Sequence, residues 1–133
     1  MIFAKRVFLV AGILGLIIVL PLLFSEAQRN IDYPPGITHP EWYYGFLAVT
    51  AAWQVLFLIL SRDPVRYRMM MIPAMMEKGF YVVAIFWLYA ISRTDITMLA
   101  AGILDLLWGV LFVVSYLLTS PERIAAKETA PAS

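Results

Sequence analysis

The chain has 133 residues, of which 62% are hydrophobic and 14% charged, and its net charge is +1. An ordinary soluble domain carries about 25% charged residues, so the deficit points to a single-domain integral membrane protein. The near-neutral balance argues against a nucleic-acid partner, the lack of cysteine excludes disulfides and thiolate metal sites, and the lone histidine, His39, excludes a multi-histidine metal centre within one chain.

Lys5 and Arg6 precede an apolar run over residues 7–24, long enough to cross a bilayer, so a first span is expected over 6–24. Gly12 and Gly15 would let another helix approach closely. A charged start, an apolar run and Ser25-Glu26-Ala27 also fit a cleaved signal peptide over 1–27. The run exceeds the usual length of about 7–15 residues for such a segment, which favours a retained helix.

Residues 25–41 form the longest polar segment and are read as an outer loop. Asp32-Tyr-Pro-Pro-Gly36 and His39-Pro40 are turn and extended signals that a helix cannot run through. Glu26, Asp32, His39 and Glu41 include only one strong transition-metal ligand, so no metal site is assigned. The second span is expected over 42–60, opening on an aromatic belt at Trp42, Tyr43 and Tyr44. At 100° per residue, Tyr43, Thr50, Gln54 and Ser61 share a stripe opposite Gly45, Val49, Ala52, Leu56 and Ile59. Gln54 lies deep in the apolar slab, where its amide needs a partner: a helix–helix hydrogen bond or a ligand.

The linker over 61–68 is strongly basic, and Asp63-Pro64 within it resembles a helix N-cap followed by a first-turn proline. Its Arg62, Arg66 and Arg68 are candidates for lipid phosphates, or for fixing topology by their charge. The third span, over 69–91, carries Glu77 and Lys78 side by side. The uncharged part beyond them is about 20 Å of helix, short of a bilayer core of about 30 Å, so both charges fall in the slab or at its inner edge. Met70, Pro73, Glu77, Tyr81, Ala84 and Leu88 fall on one face, expected to point inward. Lys78 falls about 100° away and can snorkel to the inner surface on its long stem; that direction disfavours its pairing with the acids but leaves it open.

A tight outer turn at 92–95 leads to the fourth span over 96–118. Met98, Gly102, Asp105, Gly109, Phe112 and Tyr116 form an expected interior face, and Ala100, Ile103, Leu107, Val110 and Val114 a lipid face. Asp105 lies near mid-depth with a glycine one turn to either side. The tail over 119–133 is polar and proline-containing, and is expected to fray.

Lys5, Arg6, Arg62, Arg66, Arg68, Arg123 and Lys127 flank one side of the spans, while Arg29 and Arg93 flank the other. By the positive-inside rule, both termini are expected in the cytoplasm and the protein in the cytoplasmic membrane. The fold class expected is an all-α, up-down bundle of four transmembrane helices. Thr50, Gln54, Glu77, Tyr81, Asp105 and Tyr116 are expected to line a polar seam inside it. The acids in that seam have three readings beyond a purely structural, hydrogen-bonded role. The first is a binding or accessory protein holding a lipophilic or cationic small molecule at Gln54, Glu77, Tyr81, Asp105 and Tyr116. The second is a proton-coupled carrier working as an oligomer. The third is a structural subunit of a membrane complex, with a membrane protein partner. No nucleophile–base pair, phosphate loop or metal motif supports an enzyme, and no cofactor is implied.

The chain length, the four spans, the linker Arg62-Asp-Pro-Val-Arg-Tyr-Arg68 and the closing Gly102-Ile-Leu-Asp-Leu-Leu-Trp-Gly109 resemble small bacterial membrane proteins of the DoxX-like kind. That resemblance implies a four-helix membrane bundle and carries no defined activity. Intramembrane acids are also a feature of the sterol-isomerase and sigma-2 receptor group, where they meet cationic or sterol-like ligands; no site transfers from it residue by residue. Small multidrug exporters carry an essential acid in their first span, and the first span here has none.

Overall fold

The computed structural model describes residues 1–128, with side chains to Ala125. Every regular element among them is a helix: α1 (Ile2–Leu22), α2 (Glu26–Asp32), α3 (Pro40–Arg62), α4 (Met71–Ala90), α5 (Ile96–Leu118) and α6 (Pro121–Glu128), with a 3-10 turn over Arg68–Met70 before α4. Four of these, α1, α3, α4 with its leading 3-10 turn, and α5, are long and apolar enough to cross a bilayer. Most of their large side chains face outward, Ile17, Val49, Phe80 and Leu117 among them. Such surface suits acyl chains, and these are the features of a multi-pass membrane protein.

The ends of the helices follow local chemistry. Lys5 and Arg6 lie inside the first turns of α1 rather than before it. Pro40 opens α3 at a first-turn position, where its missing N–H costs nothing. Asp63 caps the next turn, its Oδ1 accepting from the Arg66 N–H at 3.1 Å. Asp95 caps α5 in the same way through the Met98 N–H at 2.9 Å. Two stretches are more helical than expected. The segment read as an outer loop contains α2, supported by Gln28 Nε2 donating to Asp32 Oδ1 one turn on, at 2.8 Å. It ends at the diproline turn, where Gly36 takes a φ of 86°. The tail expected to fray instead forms α6, and Thr119 before it is fully buried, donating to the Ser115 carbonyl at 2.9 Å. The rest of that tail, residues 129–133, lies outside the described residues.

Around the bundle the long helices run in the order α3, α1, α5, α4, and α3 touches α4 only slightly. Three aromatic rings tie this arrangement together. Phe8 of α1 stacks on Phe112 of α5 at 4.5 Å between centroids, and Phe57 of α3 meets Phe112 edge-on at 4.9 Å. Val7, Ala11, Leu60, Met71 and Ala74 close around them. This core joins the start of α1, the end of α3, the start of α4 and the end of α5. The start of α1 and the end of α5 therefore lie at one end of the bundle, the terminal end.

Candidate functional site

The α4–α5 contact is built on small residues. A Cβ on Gly102 would stand 2.9 Å from the Ile85 side chain, and one on Gly109 would stand 3.5 Å from Lys78 Cβ. Glycine at these positions lets the two helices approach closely, one turn to either side of Asp105. The interior and lipid faces expected for α5 are the faces observed: Gly102 and Phe112 are buried and Asp105 half-buried, while Ile103, Leu107, Val110 and Val114 are exposed.

On α4 the contact face is Met71, Ala74, Lys78 and Ile85, one position round from the face expected. Lys78 is therefore interior, with only 7% of the residue exposed, and does not snorkel. Its ammonium lies 3.1 Å from Asp105 Oδ1 and 3.2 Å from Oδ2, so α4 and α5 are joined by a charge-assisted pair within their contact. Glu77 completes the cluster less tightly. Its Oε1 accepts from Lys78 Nζ at 3.4 Å; its Oε2 is 3.2 Å from the same nitrogen but lacks hydrogen-bond geometry. The ammonium also sits 5.7 Å from the Phe57 ring centroid, against the aromatic core. The two carboxylate side chains keep 20% of their surface exposed against 9% for the lysine. The acid side chains are thus more exposed than the base, although Glu77 Oε2 itself is buried. Tyr81, one turn beyond Glu77, is half-buried.

The remaining residues of the expected seam lie elsewhere. Gln54 is buried in the α1–α3 contact, where a Cβ on Gly15 would collide with its side-chain amide. Its Nε2 donates to the Thr50 carbonyl of its own helix at 3.2 Å, and it makes no hydrogen bond to α4 or α5. Thr50 in turn donates to Phe46 O at 2.8 Å. Tyr116 is at the terminal end, beneath the Arg68 guanidinium, whose Nε donates to the Tyr116 carbonyl at 3.3 Å. One continuous seam is thus replaced by three separate polar sites. Glu77, Asp105 and the flanking Tyr81 belong to one of them, with Lys78 at its centre. The signal for Lys78 was present in the sequence: Met71, Ala74, Lys78 and Ile85 recur at helical spacing.

Compared with known proteins, the chain matches no family model, and no curated protein or solved structure is significantly similar to it.

Proposed function

We propose that the protein is a binding or accessory protein of the cytoplasmic membrane that takes a lipophilic cation at the Glu77–Lys78–Asp105 cluster. The observation that carries this reading is the unequal charge of the cluster: one ammonium lies between two carboxylates. With all three groups ionised the site holds one net negative charge in apolar surroundings. Such a charge is costly until a proton or a second cation arrives. The acid side chains are more exposed than the lysine, so a cation entering from the acyl-chain region would approach the cluster from its acidic side. Tyr81 beside it offers an aromatic face to an ammonium group. The excess of Lys and Arg at the terminal end supports cytoplasmic termini.

The test is a thermal-shift titration of the purified chain with a long-chain quaternary ammonium amphiphile and a neutral amphiphile of the same length. Stabilisation by the cation alone, lost in Glu77→Gln, is the expected result. Equal shifts with both amphiphiles, or an unchanged shift in Glu77→Gln, would remove the cation site.

A proton-coupled carrier is the second reading, and the reach of Lys78 favours it. The ammonium contacts both acids, so a proton on one would release it towards the other. A carrier of this size would work as an oligomer. It requires that Glu77→Gln or Asp105→Asn abolish flux in proteoliposomes while the fold survives; normal flux in both variants would exclude it.

A further inference from the structure

The strongest feature outside the charge cluster is a cleft of about 310 Å³ at the terminal end, lined by Val65, Arg68, Thr119, Pro121, Ile124 and Ala125. Its walls are mostly aliphatic, and it has one cation. Arg68 is held in place twice: its guanidinium carbon lies 3.6 Å from the centroid of the Tyr116 ring, and its Nε donates to the Tyr116 carbonyl. These contacts fix the plane of the fork and engage only its inner nitrogen. The terminal nitrogens of Arg68 have no carboxylate or carbonyl partner among the described residues.

A fixed, planar fork with free terminal nitrogens is suited to two parallel hydrogen bonds to a phosphate. The surroundings select the same charge. Arg62, Arg66 and Arg123 are exposed in the segments around the cleft. Two acids lie there, Asp63, which caps the Arg66 N–H, and the exposed Glu122, and the arginines outnumber them. The aliphatic walls add a second requirement that inorganic phosphate does not meet. The cleft also lies where α4 begins and α5 ends, the helix ends that would meet the bilayer surface.

From this charge complementarity we infer that the cleft is a binding site for an anionic phospholipid. The phosphate sits on the Arg68 fork, and the upper part of one acyl chain lies along Val65 and Ile124. This site stands apart from the Glu77 cluster and does not depend on the function proposed for it.

The test is native mass spectrometry of the full chain released from detergent, with phosphatidylglycerol and diacylglycerol of identical chains, and with inorganic phosphate as competitor. Wild type retains one phosphatidylglycerol in preference to diacylglycerol, which lacks the phosphate, by about tenfold or more, the value of losing a hydrogen-bonded charge contact. Arg68→Gln reduces that preference to near unity, while Arg93→Gln at the opposite end leaves it intact. Val65→Trp fills the cleft without touching the fork and abolishes retention; it decides the matter if Arg68→Gln does not fold. Undiminished preference in a folded Arg68→Gln or Val65→Trp overturns the proposal. So does full displacement of the lipid by inorganic phosphate, which would make the site one for a soluble anion.

Discussion

Lys78 and Asp105 join α4 to α5 through a two-pronged contact of 3.1 and 3.2 Å in the apolar part of the bundle. Each offsets the other's desolvation penalty, and without Asp105 the ammonium keeps only its poorer contact with Glu77. Asp105→Ala is expected to destabilise the bundle by about 1.5–3 kcal/mol, the value of hydrogen bonds to a charged group. The triple variant Glu77→Gln/Lys78→Met/Asp105→Leu removes all three charges and should recover most of that loss. Equilibrium unfolding in mild detergent checks the pattern; a triple variant no more stable than Asp105→Ala would show that the pair is not the link between these helices.

Glu77 shares the same ammonium on poorer terms. Its better hydrogen bond is 3.4 Å long, and its Oε2 accepts no hydrogen bond. Glu77→Gln keeps the shape and a donor–acceptor pair, so its expected cost is under about 1 kcal/mol, well below that of Asp105→Ala. The same unfolding series measures the difference. Equal losses at the two positions would mean that Glu77 is as structural as Asp105, and would weaken its assignment as the ligand-facing acid.

The spans were legible because twenty-odd apolar residues bounded by charge leave a helix little alternative, and α5 begins and ends where its pattern says. The interior face of α5 was legible for a similar reason: glycines and one acid stand opposite a wholly apolar face of Ala100, Ile103, Leu107, Val110 and Val114. The face of α4 was not. Glu77 and Lys78 are adjacent, and periodicity alone cannot say which of two neighbouring charges faces a partner helix. Snorkelling is open to the longer side chain, but the Asp105 carboxylate at 3.1 Å gives Lys78 a counter-charge inside the bundle. The single seam failed for a different reason. It required α3 and α4 to lie side by side, whereas α1 takes that place beside α3 and claims Gln54 for Gly15.

That claim on Gln54 gives a third expectation. A Cβ on Gly12 would stand 2.8 Å from Leu58 Cδ2 and 2.9 Å from the Gln54 carbonyl oxygen, and one on Gly15 would meet the Gln54 amide. At Gly12 part of the obstacle is backbone, which cannot swing aside. Gly15→Val should cost about 1–3 kcal/mol through overpacking. Gly15→Ala combined with Gln54→Ala should lose much less, since the truncated side chain vacates the space. Gly12→Val has no such rescue, because the Gln54 carbonyl remains. Thermal unfolding of the set in detergent distinguishes the two glycines; rescue at both, or at neither, would contradict the packing described.

The turn between α4 and α5 supplies the fourth. Arg93 N–H donates to the Leu88 carbonyl at 2.8 Å, and Ser92 N–H to the Tyr89 carbonyl at 3.0 Å, the paired bonds of a Schellman helix ending. This ending places the residue after the C-cap in the left-handed region, and Ser92 has a φ of 57°. A residue with a Cβ is disfavoured there by about 1–2 kcal/mol, while glycine gives back roughly 0.5–1 kcal/mol through its freer unfolded chain. Ser92→Gly should therefore stabilise the protein by about 0.5–1 kcal/mol, and the branched Ser92→Val should destabilise it. The gain should appear as slower hydrogen exchange at the Ser92 and Arg93 amides, because those amides close the turn. An unchanged exchange rate in Ser92→Gly, or a Ser92→Val variant as stable as wild type, would show that the turn does not hold this conformation in the membrane protein.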